Sequence, residues 1–191
     1  VINNGITVGV LPYEKIQMEV GIDQRSYGVE PGTDSTPFYF NVKIGTPEDS
    51  LFKGSPAIAV GGYDFGTKKF DSATGLGTDY NIVYGLAAKT IGKAGRFSVG
   101  YYSGSDKLLL DKNGTADETG ILASWDRTIS EISDKLWLAV DYMGGENSYG
   151  ALSYAFAWKF APNVGVIFGM DDWNNSNYKP TYTIQVDIDM D

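Results

Sequence analysis

The sequence contains 24 acidic and 15 basic residues, but neither histidine nor cysteine. A Ser–His or Asp–His catalytic arrangement is therefore impossible, and no thiolate is available as nucleophile or metal ligand. Acid–base chemistry falls to carboxylates. Asp187 and Asp189 stand two apart, so an extended segment puts both on one face, and Asp171 and Asp172 are adjacent. Acids spaced this way on a polar strand face are more often solvated than catalytic. DKNGTADE (111–118) gathers acids and an amide around Gly114 but lacks the full calcium-loop spacing. DDWNNSN (171–177) reads as a solvated loop, and GTKK (66–69) lacks phosphate-loop spacing. No enzyme, cofactor or metal site is expected. The net charge of −9 argues against nucleic acid as a partner.

A different set of charges falls into a pattern. Glu19, Asp23, Arg25, Lys43, Lys89, Arg96, Asp126, Lys135, Asp141, Lys159, Asp187 and Asp189 all lie on the polar parity of segments whose other parity is apolar. In IQMEVGIDQR (16–25), Ile16, Met18, Val20 and Ile22 alternate with Gln17, Glu19, Gly21 and Asp23. A period of two is the mark of a strand with one apolar face. It recurs at 5–11, 38–45, 55–65, 79–89, 95–102, 120–127, 135–143, 150–160, 163–170 and 181–190, giving about eleven strands. The 79–89 segment reads with Tyr80, Ile82, Tyr84, Leu86 and Ala88 on the apolar face, opposite Asn81, Gly85 and Lys89. Composition agrees, with 24 Gly, 13 Tyr and 9 Phe. No stretch approaches the ~18 apolar residues of a membrane-spanning helix, and no signal peptide opens the chain.

The connections tend to alternate between short (LPYE, IGKA, APN) and long and polar (SYGVEPGTDST, SGSDKLLLDKNGTADET, DDWNNSNYKP), with GTPEDSLFKGS and TISEISD intermediate, a trend that matches transmembrane barrels. Small residues on the polar parity (Gly21, Gly85, Gly100, Ala151, Ala155, Ala157) suit a crowded interior better than a watered surface. Aromatics near strand ends on the apolar parity (Phe38, Phe97, Tyr101, Trp125, Tyr142, Trp158, Phe160, Tyr182) suit interfacial girdles. The expectation is an all-β fold: a single antiparallel up-and-down transmembrane β-barrel over residues 1–191, with about 11 strands visible. Even strand numbers are the rule in such barrels, so 12 strands are expected in the complete protein, one preceding Val1.

The stretches YNIVYGLAAK, RFSVGYY, LWLAVDYMGG and TYTIQVDIDMD resemble Gram-negative outer-membrane β-barrels of the porin-like kind. GITVGVLPYEKIQMEVG, NVKIGTPEDSLFKGSPA and ISDKLWLAVDY are similar to a group of uncharacterised bacterial outer-membrane proteins. The resemblance implies a fold and an outer-membrane location. The chain departs from many such barrels in ending on Met190-Asp191 rather than an aromatic residue.

On this reading the twelve charged residues line a lumen, and the partners are membrane lipid and small solutes or ions. The expected function is passive diffusion of small hydrophilic solutes or ions. The alternative is a structural or partner-binding barrel whose lumen is blocked by paired charges, as a homo-oligomer or with another protein. A more distant alternative is a soluble β-barrel that binds an apolar ligand.

Overall fold

The computed structural model describes residues 2–11, 13–26 and 37–189. They form one antiparallel sheet: β1 (Ile2–Gly9), β2 (Gln17–Ser26), β3 (Phe38–Thr46), β4 (Ala57–Gly66), β5 (Asp79–Thr90), β6 (Arg96–Ser103), β7 (Thr119–Thr128), β8 (Leu136–Met143), β9 (Ala151–Ala161), β10 (Val164–Trp173) and β11 (Thr181–Ile188). Spatial order follows chain order throughout, so every pairing joins sequence neighbours. The only helical element among the described residues is a 3₁₀ turn at Gly92–Ala94. None of them forms a helix long and apolar enough to cross a membrane.

All eleven strands expected from periodicity are present. The first is displaced toward the chain start, since Gly9 pairs with Glu19 and Ile2 with Ser26.

The apolar parity faces outward. Ile6, Ile22, Phe40, Val60, Val99, Ile121, Phe156 and Ile184 are all exposed. In β9 the alternation is plain: Tyr154, Phe156 and Trp158 are exposed, while Ala155 and Ala157 between them are half-buried. An ordinary soluble sheet buries its apolar face, so this sheet is inverted.

The sheet curls, because inner side chains from distant strands meet. Tyr63 of β4 donates to the Met143 sulfur at the end of β8, 3.5 Å away. Tyr149, in the 144–150 loop, packs against Tyr80 with ring centroids 5.2 Å apart and against Tyr63 at 6.3 Å. The sheet is not closed: β1 and β11 each have a neighbour on one side only.

One strand reverses the expectation. In β5, Ile82 is fully buried and Ala88 is 2 % exposed, whereas Val83 is exposed. Tyr80, Ile82, Tyr84, Leu86 and Ala88 therefore look inward. The register supplies the reason: Tyr84 sits between Gly61 of β4 and Tyr102 of β6. A Cβ at Gly61 would lie 2.7 Å from the Tyr84 hydroxyl, so glycine there makes room for the ring. Alternation locates two faces but cannot say which is inner when both are apolar.

Candidate functional site: the interior of the sheet

Two rows of inward residues can be traced across the strands. One runs Glu19, Lys43, Gly61, Tyr84, Tyr102 and Gly120, from β2 to β7. Another runs Ser98, Ser124, Asp141, Ser153, Asp171 and Thr181, from β6 to β11. The first row places two tyrosines side by side; the second is short and polar.

The aromatic part gathers in the half of the interior nearest the long connections. Ile82, Tyr102 and Leu109 are buried there, with Tyr63, Tyr80, Tyr84, Leu122, Met143 and Tyr149 packed against them. Leu109 belongs to the long β6–β7 connection, which folds back over the sheet. Asn147 secures the 144–150 loop and is completely buried. Its Nδ2 donates to the Tyr102 hydroxyl (2.7 Å) and the Asp117 carbonyl (2.5 Å). Its Oδ1 accepts from the backbone N–H groups of Tyr149 (2.8 Å) and Gly150 (3.2 Å). The Tyr102 hydroxyl in turn donates to the Gly144 carbonyl at 2.7 Å. Such a fully satisfied amide fixes a loop, because breaking it strands buried polar groups.

Beside this cluster lies a buried ion pair. Arg25 of β2 holds Asp64 of β4 with two hydrogen bonds, 2.9 and 2.6 Å. The Arg25 guanidinium lies 4.3 Å from the Tyr39 ring centre, and the Tyr149 hydroxyl donates to the Asp64 carboxylate. Asp64 is 1 % exposed and adopts a left-handed φ of 56° at the break in register between Tyr63 and Phe65. The bulge turns its carboxylate to the interior. Burial, then the adjoining Asp64 charge, pushes the Tyr149 phenol well above its ordinary value, so it remains protonated as a donor.

The half nearest the short turns is more open. Glu19 and Lys43 pair at 2.6 Å over a cavity of about 490 Å³ that Arg96 also lines. Asp23 accepts from Asn41 at 2.9 Å, Asp126 from the Trp137 indole at 3.3 Å, and Asp187 from Gln185 at 2.6 Å. Lys135, Lys159, Asp187 and Asp189 line a larger cavity of about 1220 Å³. Asp141 lines a third, of about 310 Å³, with Ser98 and Ser153.

Of the twelve residues expected in the lumen, Lys89 stands on the other face. It pairs in register with Phe97, whose ring is exposed, and so belongs with Val83 rather than Tyr84. Its long side chain reaches Glu48 at 3.3 Å and the Ser55 carbonyl at 3.1 Å, in the β3–β4 turn. The other eleven do not converge on one point. Asp187 and Asp189 share a face but form no catalytic pair with a base. The 111–118 loop is satisfied internally, Asp111 accepting from the backbone of Asn113 and Thr115, each at 2.8 Å. No metal-binding cluster occurs among the described residues.

Asp64, Tyr149 and Asn147 were not legible as interior residues. Asp64 depends on a bulge, and the other two sit in a Gly-rich turn sequence whose inward fold no periodicity records.

Comparison with protein-family models, curated proteins and solved structures finds no match.

Proposed function

We propose that this chain is an outer-membrane β-barrel with an obstructed lumen, serving as a structural or partner-binding barrel. Support for the membrane comes from the outward apolar face, continued over the strands other than β5, enclosing charged residues of both signs. A soluble barrel holding an apolar ligand requires the opposite polarity. Support for obstruction comes from one observation: side chains from β2, β4, β5, β6 and the 144–150 loop meet across the interior. Arg25, Asp64, Tyr63, Tyr80 and Tyr149 are joined there by hydrogen bonds and ring contacts. A barrel of this size conducts only where its interior is unfilled.

A second reading, a narrow channel for small hydrophilic solutes or ions, is favoured by the 1220 Å³ cavity on the β9–β11 side, where lysines and aspartates line open space. Planar-bilayer recording separates the two. The obstructed barrel passes no steady single-channel current; a regular open-channel current from the unmodified protein establishes the channel and overturns the obstruction.

A further inference from the structure

β1 and β11 both run from the long-connection end to the short-turn end, because an odd number of strands separates the two edges by an even number of reversals. They are therefore parallel. Both edges line one cavity, which takes in Asn3, Gly5 and Thr7 from one side and Thr183, Gln185 and Asp187 from the other. The curled sheet thus brings its free edges to opposite walls of one gap. Both strands are exposed on both faces, unlike every strand between them.

Backbone polarity of the gap can be assigned. Val10 N–H donates to the Met18 carbonyl (2.8 Å), so alternation along β1 turns the backbone groups of Asn3, Gly5, Thr7 and Gly9 away from β2. Asp189 N–H donates to the Asn163 carbonyl (3.0 Å), which turns those of Tyr182, Ile184, Val186 and Ile188 away from β10. The first set carries inward side chains, the second outward ones.

We propose that this gap is the site of one further β-strand, antiparallel to both edges and supplied by the same polypeptide ahead of Val1; the proposal rests on the membrane-barrel reading. Every second residue of that strand bonds to β1 and points inward; the residues between bond to β11 and point outward. Its chemistry follows: about eight residues, small or polar on the inner parity and aliphatic or aromatic on the outer. Asp187 and Asp189 place acidic charge at the short-turn end of the gap, which favours Lys or Arg on the inner parity there. The same polypeptide is the source because all ten observed pairings join sequence neighbours. Inside a bilayer, two open edges would leave their N–H and C=O groups unsatisfied, which membrane barrels avoid by closing.

The test uses the mature protein in detergent micelles, with its heat-sensitive gel migration confirming folding. Thr7→Cys is combined in turn with Thr183→Cys, Gln185→Cys and Asp187→Cys. An intervening strand holds the edges about 9.6 Å apart, two inter-strand spacings, while a disulfide needs Cα atoms within about 4.4–6.8 Å. The expected result is no disulfide in any pair, with slow amide exchange at Gly5, Thr7, Ile184 and Val186 alike. A disulfide in any pair means that β1 and β11 pair directly in parallel, and overturns the proposal. Protected amides on one edge and fast exchange on the other also overturn it, as does a mature protein whose first residue is Val1. None of these readouts depends on conductance, so failure here is separate from failure of the obstructed-lumen reading.

Discussion

Asp64 shows what a single residue does for the interior. A carboxylate held at 1 % exposure is costly to desolvate, and here it is offset by two charge-assisted bonds from Arg25 and one from Tyr149. Its left-handed backbone adds strain that only the surrounding contacts sustain. Replacing one partner of such a pair is worse than never having built it, since the other charge remains buried. Asp64→Asn is expected to destabilise the folded protein by about 3–5 kcal/mol, measured as a shift of the urea unfolding midpoint in lipid. A variant that unfolds with the parent shows that the pair does not hold the interior together. Nothing in GGYDFG marks this aspartate as different from an ordinary turn residue; the bulge that aims it is a property of the β4–β5 pairing.

At the scale of elements, the short-turn end is held by contacts between hairpins. Glu48, in the β3–β4 turn, accepts from the Thr90 N–H at 2.9 and 3.0 Å and from the Thr90 hydroxyl at 2.8 Å. Lys89 and Arg96 add charge at 3.3 and 3.7 Å. The backbone hydrogen bond from Thr90, ahead of the lysine, holds the Glu48 carboxyl below its ordinary value of 4.5. A lowered folded-state value contributes stability that is complete above the unfolded value and disappears as pH falls through the folded one. Glu48→Gln should therefore melt below the parent at pH 7, and the gap should close as the pH falls below 4.5 and through the lowered folded-state value. A gap that persists undiminished in acid contradicts this assignment. Existence, order and approximate bounds of the eleven strands were legible, because most repeat a period of two; the 55–65 segment, small or apolar on both parities, was the weaker case. The inner face of β5 was not: Tyr84 and Val83 are both apolar, and Gly61 on the neighbouring strand decides between them. Lys89 followed the same error, taken as interior because its own strand was read with the wrong face outward.

For the whole molecule the central physical fact is inversion. Residues that would form a soluble core, such as Val99, Ile121 and Phe156, are exposed, and the interior holds tyrosines, serines, alanines and paired charges. Water is a poor solvent for that exterior, and a bilayer is a good one. Adjacent residues of β6 make the claim measurable, since Ser98 faces inward and is half-buried while Val99 faces outward and is 64 % exposed. Ser98→Cys and Val99→Cys would each be labelled with a polarity-sensitive fluorophore and reconstituted into vesicles with and without brominated acyl chains. The label at 99 should emit at short wavelength and be quenched by the brominated lipid, with the label at 98 unaffected. Quenching at 98 and not at 99, or at neither, would contradict a lipid-facing exterior.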